Sequence, residues 1–284
     1  MCHLALFGKR PSMIPTEIVN HVLGFLHSDQ DFSTLKTCSA VFPQIADRLL
    51  YSEIGFFVYG QRVGVPLPSR KTLDAAYGVP PTEFSRILLN RPHIANYVRA
   101  VRIYIRSGAK ICTTSQPILV LPSILPILLH IESISITANG SLSWRGLDPN
   151  FRAAFLNSIR SLSIKDVAIT NIYYFSLDAF HDCKNLKRLV LDGNFIDGED
   201  VSTSLYPRLC SLSVDNQTDP SCQAKVFSWV RGTLNTLSLR IPWEPDIPKF
   251  RPLIEACSTT LVNLELDLFF FSRESWFLRY GTRD

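Results

Sequence analysis

Leu186-Lys-Arg-Leu-Val-Leu-Asp-Gly-Asn-Phe-Ile196 is the stretch from which the fold of this chain is read. Its leading residues run apolar, two residues, apolar, one residue, apolar: Leu186, Leu189, Leu191. The last two face the same way off a short strand, because strand side chains alternate with a period of two. The spacing recurs at Val98/Val101/Ile103, Ile131/Ile134/Ile136, Ile159/Leu162/Ile164, Leu209/Leu212/Val214, Leu234/Leu237/Leu239 and Leu261/Leu264/Leu266. Counted on the last apolar residue of each copy, the steps are 33, 28, 27, 23, 25 and 27 residues. A lone strand cannot bury such a face. Parallel strands laid side by side make one continuous core, and the intervening residues return over the outside.

This pattern resembles the leucine-rich repeat. Asn194 and Asn139 occupy the position whose side chain bonds backbone at the turn, and most other copies lack it. Helix-like returns are predicted at Asn150–Asn157 and Pro220–Val230. The residues between the buried pairs then line the concave side. Their middle row reads Arg102, Ser135, Ser163, Val190, Ser213, Ser238, Glu265. The row two residues earlier includes Ser161 and Arg188, and the row two later includes Lys165, Asp192, Asp215, Arg240 and Asp267. Small hydroxyls dominate and charge sits at the margin, so Arg188, Asp192, Asp215, Arg240 and Asp267 are the candidate contacts to a target protein. The bland alternative is that the serines are simply good neighbours in a tightly stacked sheet, since aromatic and arginine anchors are scarce among them.

The other informative stretch is Ile14 to Phe42, IPTEIVNHVLGFLHSDQDFSTLKTCSAVF. Ile14, Ile18, Val19, Val22, Leu23, Phe25 and Leu26 make one broad apolar helical face, with Pro15 in the first turn. A second helix is expected with Leu35, Cys38 and Phe42 on one side, and a third from Pro43 carrying Ile45, Ala46, Leu49 and Leu50 inward. So small a unit buries too little of its own surface to stand alone. Ile14-Pro15-Thr16-Glu17-Ile18, Val22-Leu23, Leu26, Leu35, Cys38-Ser39 and Val41 resemble the F-box. The chain departs from that family at Phe42, Pro43 and Ile45, where Cys, Arg and Trp are usual. With Phe84 to Arg99 as a linker of the same style, nearly the whole chain resembles fungal F-box proteins with a degenerate leucine-rich-repeat body. The resemblance implies an α/β architecture: a three-helix head over 12–52, a linker with a helix over 53–96, and a parallel-sheet solenoid over 97–284. It implies a Skp-type adaptor and cullin complex as partners, bound through Ile14, Pro15, Ile18, Val19, Val22, Leu23, Leu26, Leu35, Cys38 and Phe42. The solenoid would hold an unknown protein substrate for ubiquitin transfer, in cytoplasm or nucleus. The rival expectation is a leucine-rich-repeat scaffold that binds a protein partner with no ubiquitin role.

Composition bounds the remaining classes. With 46% hydrophobic and 19% charged residues, the 284-residue chain has the make-up of a folded protein. Its net charge of +4 is mild, and basic residues come in pairs such as Lys187-Arg188, never in the dense stripe that nucleic-acid binding asks for. Seven cysteines without a Cys-x-x-Cys pair argue against a disulfide framework or a zinc knuckle. The N-terminal apolar run is too short for a signal peptide. The uncharged stretch Ile111–Ile131 carries Pro117, Pro122 and Pro126, so a buried segment is predicted rather than a membrane span. No phosphate-cradling loop, zinc-protease helix or nucleophile elbow is present. His181-Asp182-Cys183 groups three reactive side chains, but sequence neighbours rarely form a site, and the turn before a repeat strand is their expected place. The reading is therefore of a chain without catalytic residues, cofactor or metal, which supplies proximity to other proteins' active sites.

Overall fold

The computed structural model describes residues 43–58, 77–106, 116–193, 195–196, 207–215, 226, 229–230, 232–241, 248 and 250–268. The chain divides into two compact units, Met1–Ser52 and Glu53–Asp284. In the first, the described element is helix α1 (Pro43–Leu50), opened by its proline as the sequence predicts. The Tyr51 N–H donates to the Asp47 carbonyl at 2.9 Å and the Ser52 hydroxyl to Leu49 at 2.9 Å, closing the last turn. All ten candidate adaptor contacts, Ile14 to Phe42, lie outside the described residues.

Among its described residues the second unit is mixed α/β, built on a nine-stranded, wholly parallel sheet. Its strands are β1 (Glu53–Val58), β2 (Tyr77–Val79), β3 (Ala100–Arg106), β4 (Ser133–Ser143), β5 (Asp166–Tyr173), β7 (Arg188–Asp192), β9 (Ser211–Asp215), β10 (Thr236–Ile241) and β11 (Asn263–Leu268). A short pair, β6 (Phe175–Ser176) and β8 (Phe195–Ile196), runs beside them. The order is β11-β10-β9-β7-β5-β4-β3-β1-β2, so from β3 onward each strand of the main sheet lies beside its predecessor. Inward pairs form a continuous buried row: Ile54/Phe56, Val101/Ile103, Ile134/Ile136, Val167/Ile169, Leu189/Leu191, Leu212/Val214 and Leu237/Leu239.

The structure departs from the sequence expectations in two places. The copy at Ile159/Leu162/Ile164 is not a strand: Ile159 ends a helix and Leu162 is 74% exposed in a turn. The strand is β5, five residues later, where Val167 and Ile169 pair with Ile134 and Ile136. Ile164-x-x-Val167-x-Ile169 satisfies the same spacing, and burial decides between two overlapping matches. The steps become 33, 33, 22, 23, 25 and 27 residues (Ile103, Ile136, Ile169, Leu191, Val214, Leu239, Leu266). The longer steps each carry a full α-helix, and the 22-residue step carries a single 3-10 turn, Leu177–Phe180. Second, the stretch expected as a linker with a helix, 53–96, also contributes a strand, because Glu53–Val58 joins the sheet beside β3. Phe56 and Phe57 belong to its packing, Phe56 edge-on to Phe84 at 5.4 Å and Phe57 stacked on Tyr104 at 5.3 Å. The helix expected within 53–96 is Pro81–Asn90, with Pro80 at its cap.

Helices α2 (Pro81–Asn90), α3 (Gln116–Ile124) and α4 (Pro149–Ile159) pack in sequence and bury Phe84, Leu88, Ile118, Leu121, Phe151 and Phe155. Helix α4 contains the predicted return Asn150–Asn157. Pro149 fits its first turn, and the Asp148 carboxylate accepts the Phe151 N–H at 2.9 Å as N-cap. Of the other predicted return, Val226, Trp229 and Val230 are described, and all are buried. Trp144, Phe155, Phe175, Phe180 and Trp229 make an aromatic chain beneath the sheet, at centroid distances of 4.7–6.0 Å. A further helix, α5 (Arg251–Cys257), precedes β11. The uncharged stretch around α3 is a nine-residue helix with Pro122 inside it, and no helix among the described residues is long and apolar enough to cross a membrane.

Candidate functional site

The open face of the sheet carries the residues between the buried pairs. With β5 in its true register, the middle row reads Gly55, Arg102, Ser135, Ala168, Val190, Ser213, Ser238, Glu265. Ser163 and Ser161 leave the rows assigned from sequence, replaced by Ala168 and Asp166, and Lys165 gives way to Thr170. These side chains are half-buried from Arg102 to Ser238, as tight lateral stacking of parallel strands requires. Arg102 ion-pairs with Glu53 on the neighbouring strand. Burial alone would lower the Arg102 pKa, but Glu53 and the Tyr104 hydroxyl beside it raise it on balance.

The five candidate target contacts divide between two ends of the sheet. Asp192, Asp215, Arg240 and Asp267 lie together at the carboxyl ends of β7, β9, β10 and β11. Arg240 reaches Asp267 at 3.3 Å on one side and Asp192 at 3.5 Å on the other, across the strand that carries Asp215. Arg240 is thus engaged within its own sheet. Arg188 is not with them: it starts β7 at the opposite end, exposed.

That opposite end holds a feature the row analysis missed. The residue just before each strand is fixed by a repeated hydrogen-bond pattern. The Arg99 carbonyl accepts the N–H groups of Glu132 (2.7 Å) and Ser133 (3.0 Å), and the Glu132 carbonyl those of Lys165 (2.8 Å) and Asp166 (3.1 Å). The Lys165 carbonyl accepts Lys187 (2.7 Å) and Arg188 (3.0 Å), and the pattern continues through Lys187, Cys210 and Asn235. Arg99, Glu132, Lys165 and Lys187 are therefore held in one transverse row. They line an open groove of about 450 Å³ together with His130, Leu162, Ser163 and Asn185. Side chains stitch its floor: the Asn185 amide donates to the Leu162 carbonyl at 2.7 Å. Glu132 accepts from Lys165 at 2.6 Å and lies 3.9 Å from Arg99. The hydrogen bond and charge of Lys165 hold the Glu132 carboxyl below its ordinary range. The signal available in the sequence was the position just after the first apolar residue of each copy, basic at 99, 165 and 187, which lies outside the three rows read as the concave face.

The reactive triplet does not form a catalytic arrangement. His181 Nδ1 lies 2.9 Å from Asp182 Oδ2, while Cys183 Sγ donates to the carbonyls of Ile159 (3.3 Å) and Ala179 (3.7 Å). Burial pushes the Cys183 thiol up to about 12, so no thiolate is present at neutral pH. No group of three or more His, Cys, Asp or Glu among the described residues could hold a metal ion.

The chain matches no family model, no curated protein and no solved structure.

Proposed function

We propose that this chain is the substrate-recognition subunit of a cullin-based ubiquitin ligase, with an F-box-like head that engages a Skp-type adaptor and a leucine-rich-repeat-like body that holds a target protein. One observation carries the second half of the reading. Seven parallel strands of the described residues succeed one another at steps of 22–33 residues, with one face buried from β3 to β10 and the other left open and largely polar. An open face of stacked repeats is a binding surface by construction, since each repeat contributes one strand to it. The first half is supported by the residues of Ile14–Leu26, whose apolar face exceeds what a small helical head can bury alone. Catalysis on this reading belongs to the partners, and the subunit contributes proximity.

The departures at Phe42, Pro43 and Ile45 favour one rival: a repeat scaffold that binds its partner with no ubiquitin role. Co-purification separates the two. The full chain should retain a Skp-type adaptor, and Ile18→Asp or Leu23→Asp should lose it while the chain's unfolding transition is unchanged. A folded chain that retains no adaptor is the scaffold's result.

A further inference from the structure

We propose that the groove at the amino ends of β3, β4, β5 and β7 is the principal target-binding site, and that its occupant is an acidic peptide segment carrying an apolar residue. Because every strand is parallel, all the turns that enter the sheet lie along one edge. The turns entering β5, β7 and β9 carry Arg160, Lys165, Lys184, Lys187, Arg188 and Arg208, all exposed, against Asp166 and Asp182. Some of that charge is already matched: Lys165 and Arg99 share Glu132, and Asp182 faces His181. Lys187 and Lys184 have no ion pair among the described residues, and Lys187 lines the groove. The edge therefore presents positive charge that the described residues leave unmatched. The carboxyl-end cluster differs in kind, because Arg240 is shared by Asp192 and Asp267.

Charge complementarity names an acidic partner, and the groove's shape and chemistry narrow its class. Leu162 stands at the rim 74% exposed, and Leu129, whose carbonyl accepts the Ser163 hydroxyl at 3.4 Å, is 69% exposed in the preceding turn. Two neighbouring exposed leucines beside unmatched cations suit a segment that alternates acidic and apolar side chains. A single-stranded nucleic acid would ask for broad aromatic platforms on which bases stack, and no Phe, Tyr or Trp lines the groove. A groove this open encloses little of a small molecule, whereas an extended segment can lie along the row from Arg99 to Lys187.

The inference rests on the reading of the sheet as a target receptor, but its measurement needs no adaptor, so the two fail separately. The purified full chain is titrated with three fluorescent probes: a short peptide rich in Asp and Glu with a central Leu, its Asn/Gln counterpart, and a single-stranded oligonucleotide of equal charge. The acidic peptide should bind at least roughly tenfold tighter than the amide counterpart at low salt, and the advantage should shrink as salt screens it. Lys187→Glu should weaken the acidic peptide by roughly tenfold or more, and Leu162→Asp should also weaken it, both with unchanged thermal unfolding. Equal binding of the acidic and amide peptides, unchanged binding by folded Lys187→Glu, or tighter binding of the oligonucleotide would each overturn the proposal.

Discussion

Gly193 shows how tightly single residues are held. Its φ of +145 lies where L side chains rarely go, and a Cβ there would come 2.5 Å from the Ile172 carbonyl oxygen. That oxygen is backbone and cannot swing aside. Gly193→Ala should therefore cost about 2–4 kcal/mol, measured by urea unfolding, because strain and steric overlap act together. A loss under about 0.5 kcal/mol would show that the close approach at Ile172 is not a constraint. Cys183 makes a second test at this scale. Its thiol is buried and protonated, so alkylation followed by peptide mass mapping should leave it unmodified in the folded chain. The pH sign follows from the same burial. The folded pKa is raised, so the thiol's contribution to stability is complete below the ordinary thiol pKa of about 8.5 and declines as pH climbs toward 12. Thermal unfolding of the wild type should thus fall more steeply above pH 9 than that of Cys183→Ala. The residue scale was only partly legible in sequence. A glycine followed by Asn reads as a turn, but nothing in the letters says which backbone atom lies against it.

At the scale of elements, the repeat spacing carried most of the fold, and its one failure is instructive. Ile159, Leu162 and Ile164 satisfy the apolar spacing because a helix end, a turn and the first residue of the true copy happen to fall at those intervals. Periodicity cannot separate two overlapping matches, whereas burial can. Ile169 is fully buried and Leu162 is 74% exposed. Ile169→Asp should cost about 4 kcal/mol or fail to fold, since it places an unpaired carboxylate in the core. Leu162→Asp should change stability by no more than about 0.5 kcal/mol. The reverse ranking by chemical denaturation would restore the register read from sequence. Strand β1 was hidden for another reason: glycines at 55, 60 and 64 mask its apolar run, and its partner β3 lies 47 residues downstream. Helix α4 offers a smaller check. Asp148→Ala should lose about 1 kcal/mol, because it removes the oxygen that satisfies the Phe151 N–H.

For the whole molecule, the sheet's two ends differ in charge in a way no single stretch of sequence displays. Aspartates gather where β7, β9 and β11 finish, and lysines and arginines gather where β5, β7 and β9 begin. Parallel topology makes this possible, since it brings every strand start to one edge. The candidate contacts named from sequence lie mainly at the finishing edge, where the charges meet one another; the starting edge lies outside the rows between the buried pairs. At the far side of the sheet, the inward residues of β11, Leu264 and Leu266, are 44% and 47% exposed, unlike their counterparts on every other strand from β3 to β10. We propose that this open face serves target recognition and that the head binds a Skp-type adaptor. Isothermal titration of a purified Skp-type adaptor into the full chain tests it most directly. The account expects one-to-one binding at micromolar affinity or tighter, abolished by Leu23→Asp with the sheet's unfolding transition unchanged. A folded wild-type chain that gives no binding heat with the adaptor at any temperature tried, and no complex by size-exclusion chromatography, would contradict it.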